Sequence, residues 1–460
     1  MSAKSPKTSN DVSFYRPPRP KGRFIVGNIV DFRRAPLTFL TQLHRDHGDL
    51  VEFTAFRRRF YLLSDPERMH EVFIKKQKHF TKGRGLAVTK TLLGEGLLTS
   101  EGDFHLRQRR LTQPAFHRRR ISSYADTMVD AAVEHMKTWR DGQSCDIHEE
   151  MVALTLDIVG RTLFGADVAK EAGDVSEAVD LLLKAWWIVL LVPALNKLRK
   201  VRLPIPVLSQ VQNAIDNLDD IIYRLIRERR ESGEDHGDLL SMLLQAQDDE
   251  GDGGQMTDKQ VRDEAMTLFL AGHETTANAL SWTWYLLSQH PEVEAKFHEE
   301  LDRVLGDRPP NFEDLQTLTY TEMILHESMR LFPPAWNIGR YAPEDVQIGD
   351  GIIPKDTTIL MSPYVVHRDP RWYPEPETFD PMRWTPEKKE ARPRFAYFPF
   401  GGGVRRCIGE GFAWMEGILL LATIGQHWKI RLVKEHPVVP QPLITLRPKH
   451  GVAVTLERRM

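Results

Sequence analysis

The stretch Phe400-Gly401-Gly402-Gly403-Val404-Arg405-Arg406-Cys407-Ile408-Gly409 lies close to the C-terminus and holds one of the chain's two cysteines. Its glycines let the backbone pass close to a bulky neighbour and take positive-φ turns that other residues resist. Arg405 and Arg406 stand just before Cys407, where positive charge favours a thiolate over a thiol. An apolar, helix-like run follows, from Phe412 through Leu421, and the positive end of a helix dipole adds to the same preference. Thiolate, clustered glycines and a following helix suit an axial ligand lying under a planar cofactor. A lone cysteine is also a common small buried hydrophobe, so spacing by itself leaves both readings open.

The pattern Phe400-x-x-Gly403-x-Arg405-x-Cys407-x-Gly409 resembles the cysteine loop of the cytochrome P-450 family at every defining position. The resemblance implies haem b as cofactor, with Cys407 as the axial ligand of its iron and Phe400, Gly401 and Arg405 around it. It also implies a mainly α fold with a smaller β-rich region, expected near 50–65, 340–365 and the C-terminus. In that fold a triangular helical prism holds haem between a long oxygen-activation helix and the cysteine-loop helix.

The chain has 460 residues, of which 41% are hydrophobic, enough for a sizeable core, and a formal charge of -2 that argues against nucleic acid as a partner. Two cysteines, Cys145 and Cys407, make no disulfide framework, so a reducing compartment is expected. Residues 1–22 read as a flexible polar terminus with no apolar run for a signal or transmembrane anchor. Residues 23–460 read as one domain, and the protein as a soluble, cytoplasmic, bacterial-type member of the family.

Strands are expected at Leu50–Phe53 and Arg59–Leu63, a helix opening at Asp65-Pro66, and a long loop over 81–100. A basic helix begins at Phe104. On its own, such a charged run is most simply a solvated face. By resemblance, His105 and Arg109 form the His-x-x-x-Arg pair that bonds a haem propionate, with the histidine making the contact pH-dependent. The run Leu181–Val192 is too short to span a bilayer and is closed by Pro193. It reads as a buried helix, by resemblance as the roof of the substrate pocket, or as a face that touches a membrane surface. Leu86, Trp186, Ala335 and Trp336 are pocket candidates that equally suit plain packing.

Thr257 and Gln260 fit a helix N-cap, and the helix reads on to about Gln289, where His290-Pro291 ends it. Midway along it lies Ala271-Gly272-His273-Glu274-Thr275-Thr276. Ala271 and Thr275 share a face, with Gly272 beside them. This small-residue face at Ala271 and Gly272 suits a flat ligand lying against the backbone with a hydroxyl over it; a tight helix–helix groove also explains Ala271 and Gly272, but not the acid and the hydroxyls. The segment matches the family's oxygen-activation motif, which implies that Thr275 bonds iron-bound dioxygen and Glu274 relays protons.

Glu327 and Arg330, three apart on a helix, and Arg383 in Pro376-x-x-Phe379-x-Pro381-x-Arg383 match the family's structural triad. The resemblance also makes Arg340 a propionate ligand. The implied activity is insertion of one oxygen atom of O2 into a C–H bond of a hydrophobic molecule such as a fatty acid, terpenoid or steroid. No flavin or iron–sulfur segment follows Gly409, so electrons would come from a separate ferredoxin or flavodoxin, docked on Arg107, Arg110, Arg118, Arg119 and Arg120. The alternatives are a haem-thiolate peroxygenase or isomerase of oxygenated lipids, and a haem-binding protein without turnover.

Overall fold

The computed structural model describes residues 13–83, 89–165, 206–248, 251 and 253–459. The expectations for Leu86, Trp186 and the run Leu181–Val192 lie outside these residues.

Five helices position the site: α1 Gly102–Thr112, α2 Ile147–Phe164, α3 Asp258–Gln289, α4 Thr319–Leu331 and α5 Glu410–His427. α3 is the axis. It starts where the capping residues demand, with the Thr257 hydroxyl accepting from the Gln260 amide at 3.3 Å and the Gln260 side chain accepting from the Thr257 amide at 2.9 Å. It stops at His290, ahead of Pro291. Both α3 and α5 are buried along most of their length, α5 chiefly by apolar residues and α3 by apolar and polar ones together. Leu280, Trp284 and Leu287 of α3 share a core with Leu419, Leu420 and Leu421 of α5 and Ile324 and Leu325 of α4. α2 packs along α3, and the Thr155 hydroxyl donates to the His273 carbonyl at 3.0 Å.

The five-stranded sheet takes the order β1 Leu50–Ala55, β2 Arg58–Leu63, β5 Thr357–Met361, β4 Ile338–Ala342, β3 Thr81–Lys82. β1 and β2, which contain the two expected strands, pair antiparallel as a hairpin, and β2 runs parallel to β5. The C-terminal strands do not join it. Ala453–Arg458 pairs with Trp428–Leu432 and Ser144–Asp146 in a separate three-stranded sheet.

Two sequence expectations need correction. The span 81–100 is not one loop, because it contains β3 and a short helix at Lys90–Leu93. Residues 13–22, expected to be flexible, make specific contacts: the Tyr15 amide donates to the Ile352 carbonyl at 3.0 Å and the Glu52 amide to the Pro18 carbonyl at 3.0 Å. The Tyr15 hydroxyl is also engaged, donating to Asp350 at 2.9 Å.

Candidate active site

The cysteine loop is shaped by close packing. Gly401 and Gly403 adopt φ of 72° and 71°, and a Cβ on Gly403 would stand 1.9 Å from the Phe73 carbonyl oxygen. Only glycine meets both demands. The Cys407 amide donates to the Phe400 carbonyl at 3.0 Å, which turns the thiol inward. The triad expected from sequence assembles beneath. Arg330 donates to both oxygens of Glu327 at 2.8 Å each, with both side chains fully buried. Arg383 lies 3.3 Å from Glu327 without hydrogen-bond geometry at its Nε, and it donates to the Glu375 carbonyl at 2.9 Å. The Trp384 indole and the Asp380 amide complete the Glu327 shell at 2.9 and 3.0 Å. Arg330 also donates to the His367 carbonyl at 2.9 Å, and the His367 ring accepts from the Phe398 amide at 3.0 Å. The triad thus reaches the cysteine loop through His367.

A cavity of about 520 Å³ opens above this loop, lined by Cys407, Phe400 and Gly401 on one side and Ala271, Gly272, Glu274 and Thr275 of α3 on the other. Its lining is mostly apolar, with Leu97, Leu98, Leu268 and Ile338 among the contributors. The surface that Cys407 presents is cavity surface; elsewhere the protein encloses it. Burial therefore pushes its thiol up, against the lowering pull of the Gly409 amide, Arg109 and Arg406. The expectation that arginines would lower it needs revision. Desolvation outweighs them, and Arg405 is turned away, donating to the Ser100 carbonyl at 2.6 Å and to Glu101. A metal at the sulfur would remove the proton outright.

One edge of the cavity gathers His105, Arg109, Arg340, Arg405 and Lys82. Lys82 and Arg340 are directly opposite in the β3–β4 ladder, where like charges destabilise a sheet. Burial, then Arg405, pushes Arg340 down to about 10. Lys82 falls well below its ordinary value for the same reasons, burial first and then Arg405 and Arg340. His105 is pushed down to about 3 by burial and then by Arg405, Lys82 and Arg109. It is therefore neutral at neutral pH and presents an imidazole rather than an imidazolium. Against these cations stand only the acids Glu101 and Glu264, among the groups that act on them. The cluster lacks anionic charge, and a flat dianion such as haem, with its carboxylates at this edge and iron towards Cys407, fits it.

On α3 the Thr275 hydroxyl donates to the Ala271 carbonyl at 2.7 Å. Glu274 is buried and accepts from the Thr445 hydroxyl at 2.6 Å, while the Asn278 amide donates to Thr445 at 3.2 Å. Glu416 of α5 lies fully buried with both carboxylate oxygens outside hydrogen-bond geometry and Thr276 facing it; burial pushes it up to about 8. Sequence reasoning missed Lys82, Thr445, Trp384 and Glu416. Glu416, nine positions after Cys407, sits in an apolar helical run where an acid is conspicuous, and that was the available signal. Nothing local marks Lys82 or Thr445. Ala335 does line the cavity, whereas Trp336 is buried elsewhere, its indole donating to the Leu443 carbonyl at 3.0 Å.

A cysteine facing a small-residue helix across a mostly apolar cavity with a cationic edge is the arrangement of a haem-thiolate protein. Residues 17–454 match the family model Cytochrome P450. The chain belongs to the cytochrome P450 family, a haem b-binding monooxygenase family. It is 39% identical to cyclooctatin synthase of Streptomyces melanosporofaciens, covering 93% of this chain and 92% of that one. It is 37% identical to cyclooctat-9-en-7-ol 5-monooxygenase of the same organism, over 89% and 88% of the two chains. Pentalenene oxygenase of Streptomyces avermitilis is 36% identical over 95% and 96%. No helix among the described residues is long and apolar enough to cross a membrane.

Proposed function

We propose that the protein hydroxylates a C–H bond of a cyclic terpenoid, using dioxygen and electrons delivered by a separate protein. The observation that carries this reading is the mostly apolar cavity between Cys407 and the Ala271–Thr276 segment. The terpenoid-oxidising relatives support the substrate class. Haem b, when bound, supplies oxygen activation and atom transfer.

The remaining work falls to the chain. Cys407 would hold the iron, and Arg109, Arg340, Arg405, Lys82 and His105 would hold the carboxylates. Ala271 and Gly272 leave room for a flat group against α3. Thr275 offers a hydroxyl on the cavity face, already anchored on the Ala271 carbonyl. Glu274 holds the Thr445 proton by a hydrogen bond, and the Asn278 amide donates to Thr445 and fixes that hydroxyl in place. Leu97, Leu98 and Leu268 exclude water and orient an apolar skeleton. The intact Glu274-Thr275 pair favours monooxygenation over a peroxide-driven or isomerising relative.

Of the arginines named for partner docking, Arg107 and Arg110 are committed to Asp248, with Arg110 bonding both its oxygens at 3.0 Å. Arg118, Arg119 and Arg120 remain exposed, on a short helix whose Ile121 would lie 3.3 Å from a Cβ on Gly411 of α5. That is the Cys407 side, and it suits an acidic ferredoxin or flavodoxin.

The deciding experiment has two parts. A strongly red-shifted Soret band in the reduced carbonyl complex, lost in Cys407→Ser, is expected. Cyclic diterpenes and sesquiterpenes are then supplied with a surrogate ferredoxin and reductase, and a hydroxylated product carrying 18O from 18O2 is expected. Turnover of lipid hydroperoxides without an electron donor, and no terpenoid product, would replace this reading with the isomerase one.

A further inference from the structure

Asp263 and Glu264 are adjacent acids on α3, 3% and 0% exposed, and neither belongs to the oxygen-activation segment further along the helix. Burying a carboxylate is costly unless its oxygens are hydrogen-bonded, so their partners indicate what they are for. Glu264 accepts from the Leu97 amide at 2.9 Å and the Gln108 side chain at 3.0 Å. Asp263 accepts from the Glu95 amide at 2.9 Å, from Lys259 at 2.8 Å and from Arg262 at 3.0 Å. Both acids therefore reach the same segment, residues 94–101.

That segment is held from its other side by the cationic edge. Lys82 donates to the carbonyls of Leu97, at 3.1 Å, and Leu98, and Arg405 donates to that of Ser100 at 2.6 Å. Glu101 accepts from the Lys82 amide at 2.7 Å. A Cβ on Gly96 would stand 2.2 Å from the Thr267 hydroxyl and 2.5 Å from the Asp263 carbonyl oxygen, so the backbone lies directly on α3. Between these two sets of bonds, Leu97 and Leu98 face the cavity.

We propose that Asp263 and Glu264 are positioning residues that clasp segment 94–101 to α3 and thereby place Leu97 and Leu98 as the wall against which an apolar substrate is oriented. Apolar packing alone is non-directional, whereas an amide held by a carboxylate has one geometry. The same segment carries the carbonyls that engage Lys82 and Arg405, so the wall is set in register with the edge that would hold the cofactor. The inference rests on the cavity being the haem and substrate site.

The test uses haem-loaded protein and two probes, imidazole and the bulky azole clotrimazole, followed by spectral titration, together with amide hydrogen exchange over residues 94–101. In Glu264→Leu, exchange in that segment should rise about tenfold or more, as expected for losing a buried hydrogen bond to the Leu97 amide. Clotrimazole binding should weaken about tenfold while imidazole, too small to touch the wall, stays within about twofold. Glu264→Gln keeps an acceptor for the Leu97 amide and should restore both to within about threefold of wild type. Unchanged exchange and unchanged clotrimazole affinity in Glu264→Leu would overturn the proposal. If that variant does not fold, Gly96→Ala displaces the segment without removing a carboxylate, and the same selective loss is expected. Equal weakening of both azoles in Gly96→Ala would equally overturn it. A wild-type protein lacking the thiolate-type carbonyl band would instead count against the cavity assignment.

Discussion

The Thr445 hydroxyl donates to the Glu274 carboxylate at 2.6 Å across 171 residues of chain. It brings a hydroxyl from the C-terminal region onto the acid that the oxygen-activation segment contributes. A hydrogen bond to a charged group is worth about 1.5–3 kcal/mol. Thr445→Val should therefore lower coupled turnover about tenfold, with the lost electrons recovered as peroxide, while haem content stays at wild type. Peroxide and product yields per NADPH measure this, and unchanged coupling would detach Thr445 from proton delivery.

Glu327 and Arg330 are a fully buried ion pair. Removing one partner of such a pair costs about 3–5 kcal/mol, because the other charge is left in a medium that solvates it poorly. Glu327→Ala should yield protein with little bound haem, since Arg330 would no longer hold the His367 carbonyl in place behind the cysteine loop. A fully loaded variant with the wild-type thermal midpoint would show that the loop is held by other means.

Glu416 is raised from 4.5 to about 8 by burial. Its folded-state value lies above its unfolded one, so the fold favours the protonated form. That stability is fully present below 4.5 and is lost as pH rises through about 8. Glu416→Gln should flatten the decline in thermal midpoint between about pH 5 and about pH 9 and gain most at the alkaline end, by a few kcal/mol. Parallel profiles for the two proteins would place the ionisation elsewhere.

Arg118 and Arg119 are exposed beside the N-terminal end of α5. Charge reversal of both to Glu should slow reduction by an acidic ferredoxin about tenfold at low salt, with haem content unchanged and the difference shrinking as salt screens it. Equal reduction rates for variant and wild type across the salt series would remove this face from partner docking.

The cysteine loop, the Ala271–Thr276 segment and the Glu327–Arg330 pair were legible because each is a local pattern whose spacing carries chemistry. The turn at Gly403, the shared face of Ala271 and Thr275, and the limits of α3 follow from residues a few positions apart. His105 and Arg109 both line the cavity, but the surroundings that set the charge of His105 left no local trace. The depression of His105 comes chiefly from burial and from Arg405, 300 positions away.

By itself, then, the sequence determined the family, the cysteine expected to hold the iron, the long helix opposite it and two of the strands. Backbone propensity, capping and motif spacing act over a few residues and leave a readable trace. Only tertiary structure decided that Lys82 stands opposite Arg340, that Thr445 meets Glu274, that Asp263 and Glu264 clasp residues 94–101, and that burial raises Cys407 despite its arginines. Those facts depend on desolvation and on contacts between distant segments. Both come into being only when the chain closes on itself, so no local pattern can encode them.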